Sequence, residues 1–126
     1  MPVETMNRSY ISYLKNLGRI HLYAWWFIHV VIKFKRPFEF IYHYLTRNPL
    51  AFVETRKGLR INLSGNRYDL ITVFVIFIRK DYGDIRYDAV VLDIGANIGV
   101  FALYCAHQGA SRVIAVEPNK MAFDCM

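Results

Sequence analysis

The chain is poor in several features that would mark it early. Of 126 residues only 2 are cysteine, Cys105 and Cys125, 20 apart and without a CxxC pair. That spacing argues against a disulfide framework or a cysteine zinc module, and fits a reducing, cytoplasmic compartment. No long apolar run is present. The most apolar stretch, Leu22 to Ile32, has 11 residues and contains His29, whereas a bilayer crossing takes about 20. Glu4 and polar residues occupy the N-terminus and no small-residue cleavage site follows an apolar core, so no secretory signal is read. There is no internal repeat and no low-complexity segment. Acidic residues are scarce at one end: residues 1–68 hold 11 Lys/Arg against 3 Asp/Glu, and residues 69–126 hold 5 against 7. A basic, aromatic leading half suits an anionic membrane surface, an acidic substrate, a nucleic acid or a plain solvated face. No nucleic-acid module accompanies it.

What is present supports a packed core, since 55% of the residues are hydrophobic and 21% charged. A short helix from Ser9 to Leu17, ended by Gly18, is expected first, then a helix from Ile20 to Lys35. Trp25 and Trp26 lie inside it, with Lys15 and Arg19 before and Lys33, Lys35 and Arg36 after. This pattern fits a helix in a membrane interface, making residues 19–47 a candidate peripheral membrane contact, and fits packing against protein as well. Pro37 starts a second helix with Phe38, Ile41, Tyr42 and Leu45 on one apolar face. Asn48-Pro49 breaks the chain.

Phe52–Arg56 and Leu59–Leu63 read as a hairpin around Lys57-Gly58, with Ser64-Gly65-Asn66 as the next turn. Asp69 could cap a helix from Leu70 to Lys80, although Ile71 to Ile78 is also rich in strand formers. Residues 81–87 form a polar connector. Strand Ala89–Ile94, helix Ile98–Gln108 and strand Arg112–Glu117 follow. The chain thus divides into a basic aromatic helical region (1–51), a hairpin and helix lead-in (52–87), and a first βαβ unit (88–126).

That unit carries the chemistry. Val90 to Leu92 has no alternation, as expected of a parallel strand buried on both faces. Gly95 permits a sharp turn and Gly99 a close helix start, so backbone N–H groups there are expected to face a ligand. Glu117 stands 18 positions past Gly99, at the tip of the second strand, where an acid can accept both hydroxyls of an adenosine ribose; Pro118 would shape the adenine edge. A dinucleotide fingerprint would need a second glycine, but Asn97 stands there, and Asp93 would repel a pyrophosphate. S-adenosylmethionine, with a sulfonium and an ammonium and no phosphate, suits Asp93 better. Asp93 could equally pin the turn by accepting backbone N–H groups. His21, His29 and His43 lack metal-ligand company and read as packing residues; His107, near a helix end, suits the helix dipole. Asn7-Arg8-Ser9 and Asn62-Leu63-Ser64 match a glycosylation acceptor pattern that recurs by chance.

Asp93-Ile-Gly95-Ala96-Asn97-Ile-Gly99 and Glu117-Pro118-Asn119 resemble the two cofactor motifs of the FkbM family of S-adenosylmethionine-dependent methyltransferases. The close resemblance covers residues 88–119. It implies a truncated Rossmann-like α/β fold, a doubly wound sheet, with Asp93, Gly95, Ala96, Asn97, Gly99, Glu117 and Pro118 at the cofactor. It also implies methyl transfer to an oxygen of a small, often sugar-containing acceptor. The family's later strands, which would carry the substrate wall and any catalytic base, are not in this sequence. The chain is therefore expected to be the N-terminal part of a longer enzyme, inactive and poorly folded alone, and a small complete domain is the alternative. Two rivals stand beside this reading: a non-enzymatic membrane-surface or partner-binding module, and a nicotinamide dinucleotide enzyme.

Overall fold

A computed structural model describes residues 3–126, with side chains from Gly18 onward; Lys15 and the Asn7–Ser9 acceptor pattern lie outside the described side chains. Helix α1 runs unbroken over Val3–Lys33. The expected stop at Gly18 is not there. Gly18 is exposed with open space about it, and one exposed helical glycine costs about 1 kcal/mol, too little to end a helix that continues on both sides. The backbone after α1 joins the hairpin: Phe34 bridges Thr55, and Lys35 N donates to Glu54 O at 2.9 Å. Helix α2 (Pro37–Thr46) starts on its proline as expected.

The hairpin forms with strands β1 (Phe52–Glu54) and β2 (Arg60–Asn62), antiparallel with Val53 opposite Ile61. Helix α3 (Asp69–Phe74) then passes directly into a π-helical turn, Val75–Arg79, closed by Lys80 in the left-handed conformation. Asp69 does not cap this helix. Its carboxylate accepts from Ser64 N at 2.7 Å and Ser64 Oγ at 2.8 Å, so it ties the helix back to the turn after β2. Strand β3 (Val90–Ile94), helix α4 (Val100–His107) and strand β4 (Arg112–Val116) make a βαβ unit whose strands pair in parallel, Val90 opposite Arg112 and Ile94 opposite Val116. A short helix, α5 (Lys120–Phe123), is N-capped by Asn119. The molecule is thus mixed α/β with two two-stranded sheets.

The core lies among the C-terminal half of α1, α2, the hairpin, α3 with its π-turn, and α4. Aromatic rings knit it: Phe34 stacks on Phe40 at 4.7 Å, Tyr44 meets Phe74 at 4.6 Å and Phe77 meets Tyr104 edge-on at 5.2 Å. On α2 the buried row is Pro37 and Phe40, with Ile41 and Tyr44 packed beside them. Of the expected apolar face only Ile41 packs inward; Phe38, Tyr42 and Leu45 are exposed. Both rows have helical spacing, and the one that meets Phe34 and Phe74 is the one buried. Strands β3 and β4 are not buried on both faces either. Val90, Leu92 and Ile94 are 69%, 59% and 78% exposed, because α4 covers only the other face. Ile20, Trp25, Ile28 and Ile32 leave the outward side of α1 apolar and exposed as well.

Phe34, 1% exposed, and Phe38, 74% exposed, give a direct test of which α2-facing ring matters. Phe34→Ala is expected to lower unfolding stability by about 3–5 kcal/mol, and Phe38→Ala to change it by about 0.5 kcal/mol or less. Urea denaturation of both variants measures this.

Candidate functional site

The β3–α4 turn is built on three positive φ angles, 80° at Gly95, 53° at Asn97 and 79° at Gly99. Glycine adopts such angles freely, and asparagine tolerates them better than most residues. Gly99 also makes room: a Cβ there would lie 3.0 Å from Met126 Cγ. The turn is stitched to the tip of β4. Gly95 N and Ala96 N both donate to Val116 O, at 2.8 and 3.1 Å, and Gly99 N donates to Ala96 O at 2.8 Å. Glu117 spans the two strand ends, one carboxylate oxygen accepting from Asn97 N and the other from Asn119 N, each at 2.7 Å.

These bonds bear on two expectations. The amides of Gly95, Ala96, Asn97 and Gly99 are hydrogen-bonded within the turn, to Val116 O and to Glu117. The residue that pins the turn is Glu117, and Asp93 is left free of that task. Oδ2 of Asp93 is buried with no hydrogen-bond partner, and burial pushes its carboxyl above the usual aspartate range. Asp93 lies opposite Ala115 on the covered side of the sheet.

Asp93 lines a cleft of about 250 Å³ together with Gly95, Ala96 and Asn97 from the turn. Across from them stand Thr72 and Ile76 from α3 and the π-turn, Tyr82 from the connector, and Phe101 from α4. The Tyr82 and Phe101 rings lie 4.9 Å apart. The sequence reading missed these four, because nothing in local spacing brings residues 72–82 beside a turn some twenty positions later. Glu117 reaches this group only through Asn97 N. Pro118 is exposed, and Gly99 is buried against Met126; neither lines the cleft. Neither Asp93 nor Glu117 joins an ion pair among the described residues, so this end of the sheet is negative and uncompensated. It suits a cation or a hydroxyl donor and opposes a phosphate.

The remaining candidates are packing or surface groups. His29 lies against Trp25 with ring centres 3.7 Å apart, and His43 Nδ1 is 3.1 Å from Asn48 O. His107 is pushed down by burial and by Lys57 and Lys33, the opposite of what a helix C-terminus alone would do. Cys105 is fully buried, and burial raises its thiol. Among the described residues no group of three or more His, Cys, Asp or Glu is placed to hold a metal, and no helix is long and apolar enough to cross a membrane.

Comparison with known proteins finds methyltransferases over short stretches. The chain is 44% identical over 50 residues to a probable protein arginine N-methyltransferase 1.2 of Arabidopsis thaliana, covering 34% of this chain and 14% of that one. It is 54% identical over 33 residues to protein arginine N-methyltransferase 6 of Danio rerio, covering 26% and 10%. It is also 45% identical over 62 residues to the AMB antimetabolite synthetase AmbE of Pseudomonas aeruginosa, covering 48% and 3%. The chain therefore spans a small part of the length of these relatives. No family model and no solved structure matches it significantly. Two of these three relatives are named as arginine N-methyltransferases and the third as a synthetase, and in each case the likeness is partial.

The raised carboxyl of Asp93 has a pH signature. Its folded value lies above its unfolded one, so the stability it allows is fully present below the unfolded value and is lost as pH rises through the folded value. Asp93→Asn is expected to raise the melting temperature by about 2–4 °C near pH 7 and by much less near pH 3. Thermal melts followed by circular dichroism at the two pH values check this; equal gains at both would contradict it.

Proposed function

We propose that the chain is the cofactor-binding part of an S-adenosylmethionine-dependent methyltransferase with a doubly wound, Rossmann-like sheet. The buried, unpartnered Oδ2 of Asp93 in the cleft carries the reading. An isolated carboxylate oxygen held from water is costly unless a cation or donor meets it, and this ligand brings both a sulfonium and an ammonium. Fit with a dinucleotide is poor, since the amides that would cradle a pyrophosphate are already bonded to Val116 and Glu117.

When bound, S-adenosylmethionine supplies an electrophilic methyl group. In this reading Asp93 holds the positively charged methionyl side, and Asn97 stands beside it in the turn. Each Glu117 oxygen accepts one backbone N–H and keeps a lone pair for a ribose hydroxyl. Gly95, Ala96 and Gly99 hold the turn in shape, and Pro118 edges the adenine. The chain's contribution to rate is then placement of the methyl donor relative to the acceptor.

For the acceptor we favour an oxygen on a small or sugar-containing molecule, supported by the resemblance of residues 93–99 and 117–119 to the FkbM motifs. A second reading, methyl transfer to arginine nitrogen, is supported by the names of the relatives. The proposal includes peripheral membrane contact through residues 19–47, supported by the exposed Ile20, Trp25, Ile28 and Ile32.

Isothermal titration of the chain with S-adenosylmethionine tests the cofactor. Binding is expected, weakened about tenfold or more by Asp93→Asn, with no binding of a nicotinamide dinucleotide. Unchanged affinity in the variant, or dinucleotide binding, would overturn the reading. Tritium-labelled donor offered with hydroxylated glycosides, and separately with an arginine-rich peptide, distinguishes the acceptors.

A further inference from the structure

A second cavity, of about 270 Å³, lies at the far end of α4 from the cleft. Lys33 from the end of α1, Arg56 and Lys57 from the hairpin turn, and His107 from the last turn of α4 converge on it, with Ile32 and Tyr104 among its apolar walls. No carboxylate lines it among the described residues. Lys33, Arg56 and Lys57 form no ion pair among the described residues. Lys33 Nζ donates to Phe77 O, and Arg56 Nε donates to Val31 O at 3.0 Å, which leaves two ammonium protons and the terminal guanidinium nitrogens without those partners. The acid that acts on Lys33, Asp84, is already paired with Lys80 at 2.6 Å and lies 3.4 Å from the Tyr104 hydroxyl. The α4 carbonyls of Tyr104, Cys105 and Ala106 are covered by N–H groups of residues 108–110.

We propose that this cavity is a binding site for a phosphate-type oxyanion. Like charges gathered without a carboxylate repel one another, and an oxyanion among them recovers that free energy through charge-assisted hydrogen bonds. Burial and the neighbouring cations together disfavour the charged forms of Lys33 and His107. Lys33 is pushed down by burial, then by Lys80 and Lys57, and His107 by burial, then by Lys57 and Lys33. Two sources could present such a group: a soluble phosphorylated molecule, or a phospholipid headgroup delivered along the exposed apolar face of α1 that ends at Ile32. The site does not depend on the methyl-donor reading.

The test is a titration of the chain with inorganic phosphate, following the ring resonances of its histidines by NMR. The midpoint of His107 is expected to rise with phosphate. Lys57→Gln, in an exposed hairpin turn, is expected to weaken phosphate binding about tenfold with an unchanged circular dichroism spectrum. Arg67→Gln removes the same charge from outside the cavity and is expected to leave binding as it was. A His107 midpoint that ignores phosphate, or equal losses in both variants, would overturn the site. Sedimentation with phosphatidylcholine vesicles, with and without phosphatidic acid, separates the sources. Pelleting that needs phosphatidic acid and is lost in Lys57→Gln identifies the headgroup, and phosphate binding without pelleting identifies a soluble ligand.

Discussion

One carboxylate holds the functional end of this molecule together. Two parallel strands with a single covering helix make a weak sheet, since isolated two-stranded pairs are marginal in water. The turn above β3 also depends on positive φ at Gly95, Asn97 and Gly99 and must be held in that shape. Glu117 offsets both by accepting the amides of Asn97 and Asn119 at 2.7 Å, so that one side chain closes the gap between the tips of β3 and β4. Hydrogen bonds to a charged acceptor are each worth about 1.5–3 kcal/mol. With the turn fixed from the β4 side, Asp93 is released from any structural bond. Its orphaned oxygen can then define the cleft.

Much of this end was legible in the residues. Valine, isoleucine and leucine before a glycine turn gave β3, and the spacing from Gly99 to Glu117 placed the second strand's acid. The division of labour between the two acids was not legible. Both Asp93 and Glu117 can accept backbone N–H groups, and only the register Asp93–Ala115 and the position of Asn119 decide which does. The far wall of the cleft was hidden for a different reason. Thr72 and Ile76 sit on a helix that changes from α to π within its length, a local choice set by packing against α4 and α1, on which periodicity is silent.

Elsewhere the apolar pattern was readable but its direction was not. Helix α2 has two apolar rows, and the ring of Phe40 fits the stack beneath Phe34 while Phe38, Tyr42 and Leu45 point away. The strands show the same ambiguity in another form. A run such as Val90–Leu92 records residues suited to burial on both faces, yet α4 shields only one. A sequence states which side chains favour an apolar environment; which neighbour supplies it is a property of the assembled layers. The ends of hairpin β1–β2 were easier, because strict alternation at Leu59, Ile61 and Leu63 leaves only one register that buries Ile61.

Charge is arranged along α4 in a way that unites the two cavities. Asp93 and Glu117 stand by its N-terminal end, and His107, Lys33 and Lys57 by its C-terminal end. The helix dipole alone favours this order, but burial outweighs it at Asp93 and His107, whose charged forms are disfavoured. In an eight-residue helix, about 12 Å long, the two ends are close enough to differ sharply in potential. The two proposed ligands follow this order, a cationic group at the cleft and an anionic one at the cavity at the far end. A ligand that must place a pyrophosphate at the turn would work against both the unpaired acids and the committed amides. A sulfonium-bearing ligand works with them, and that asymmetry distinguishes the methyl-donor reading from the dinucleotide one.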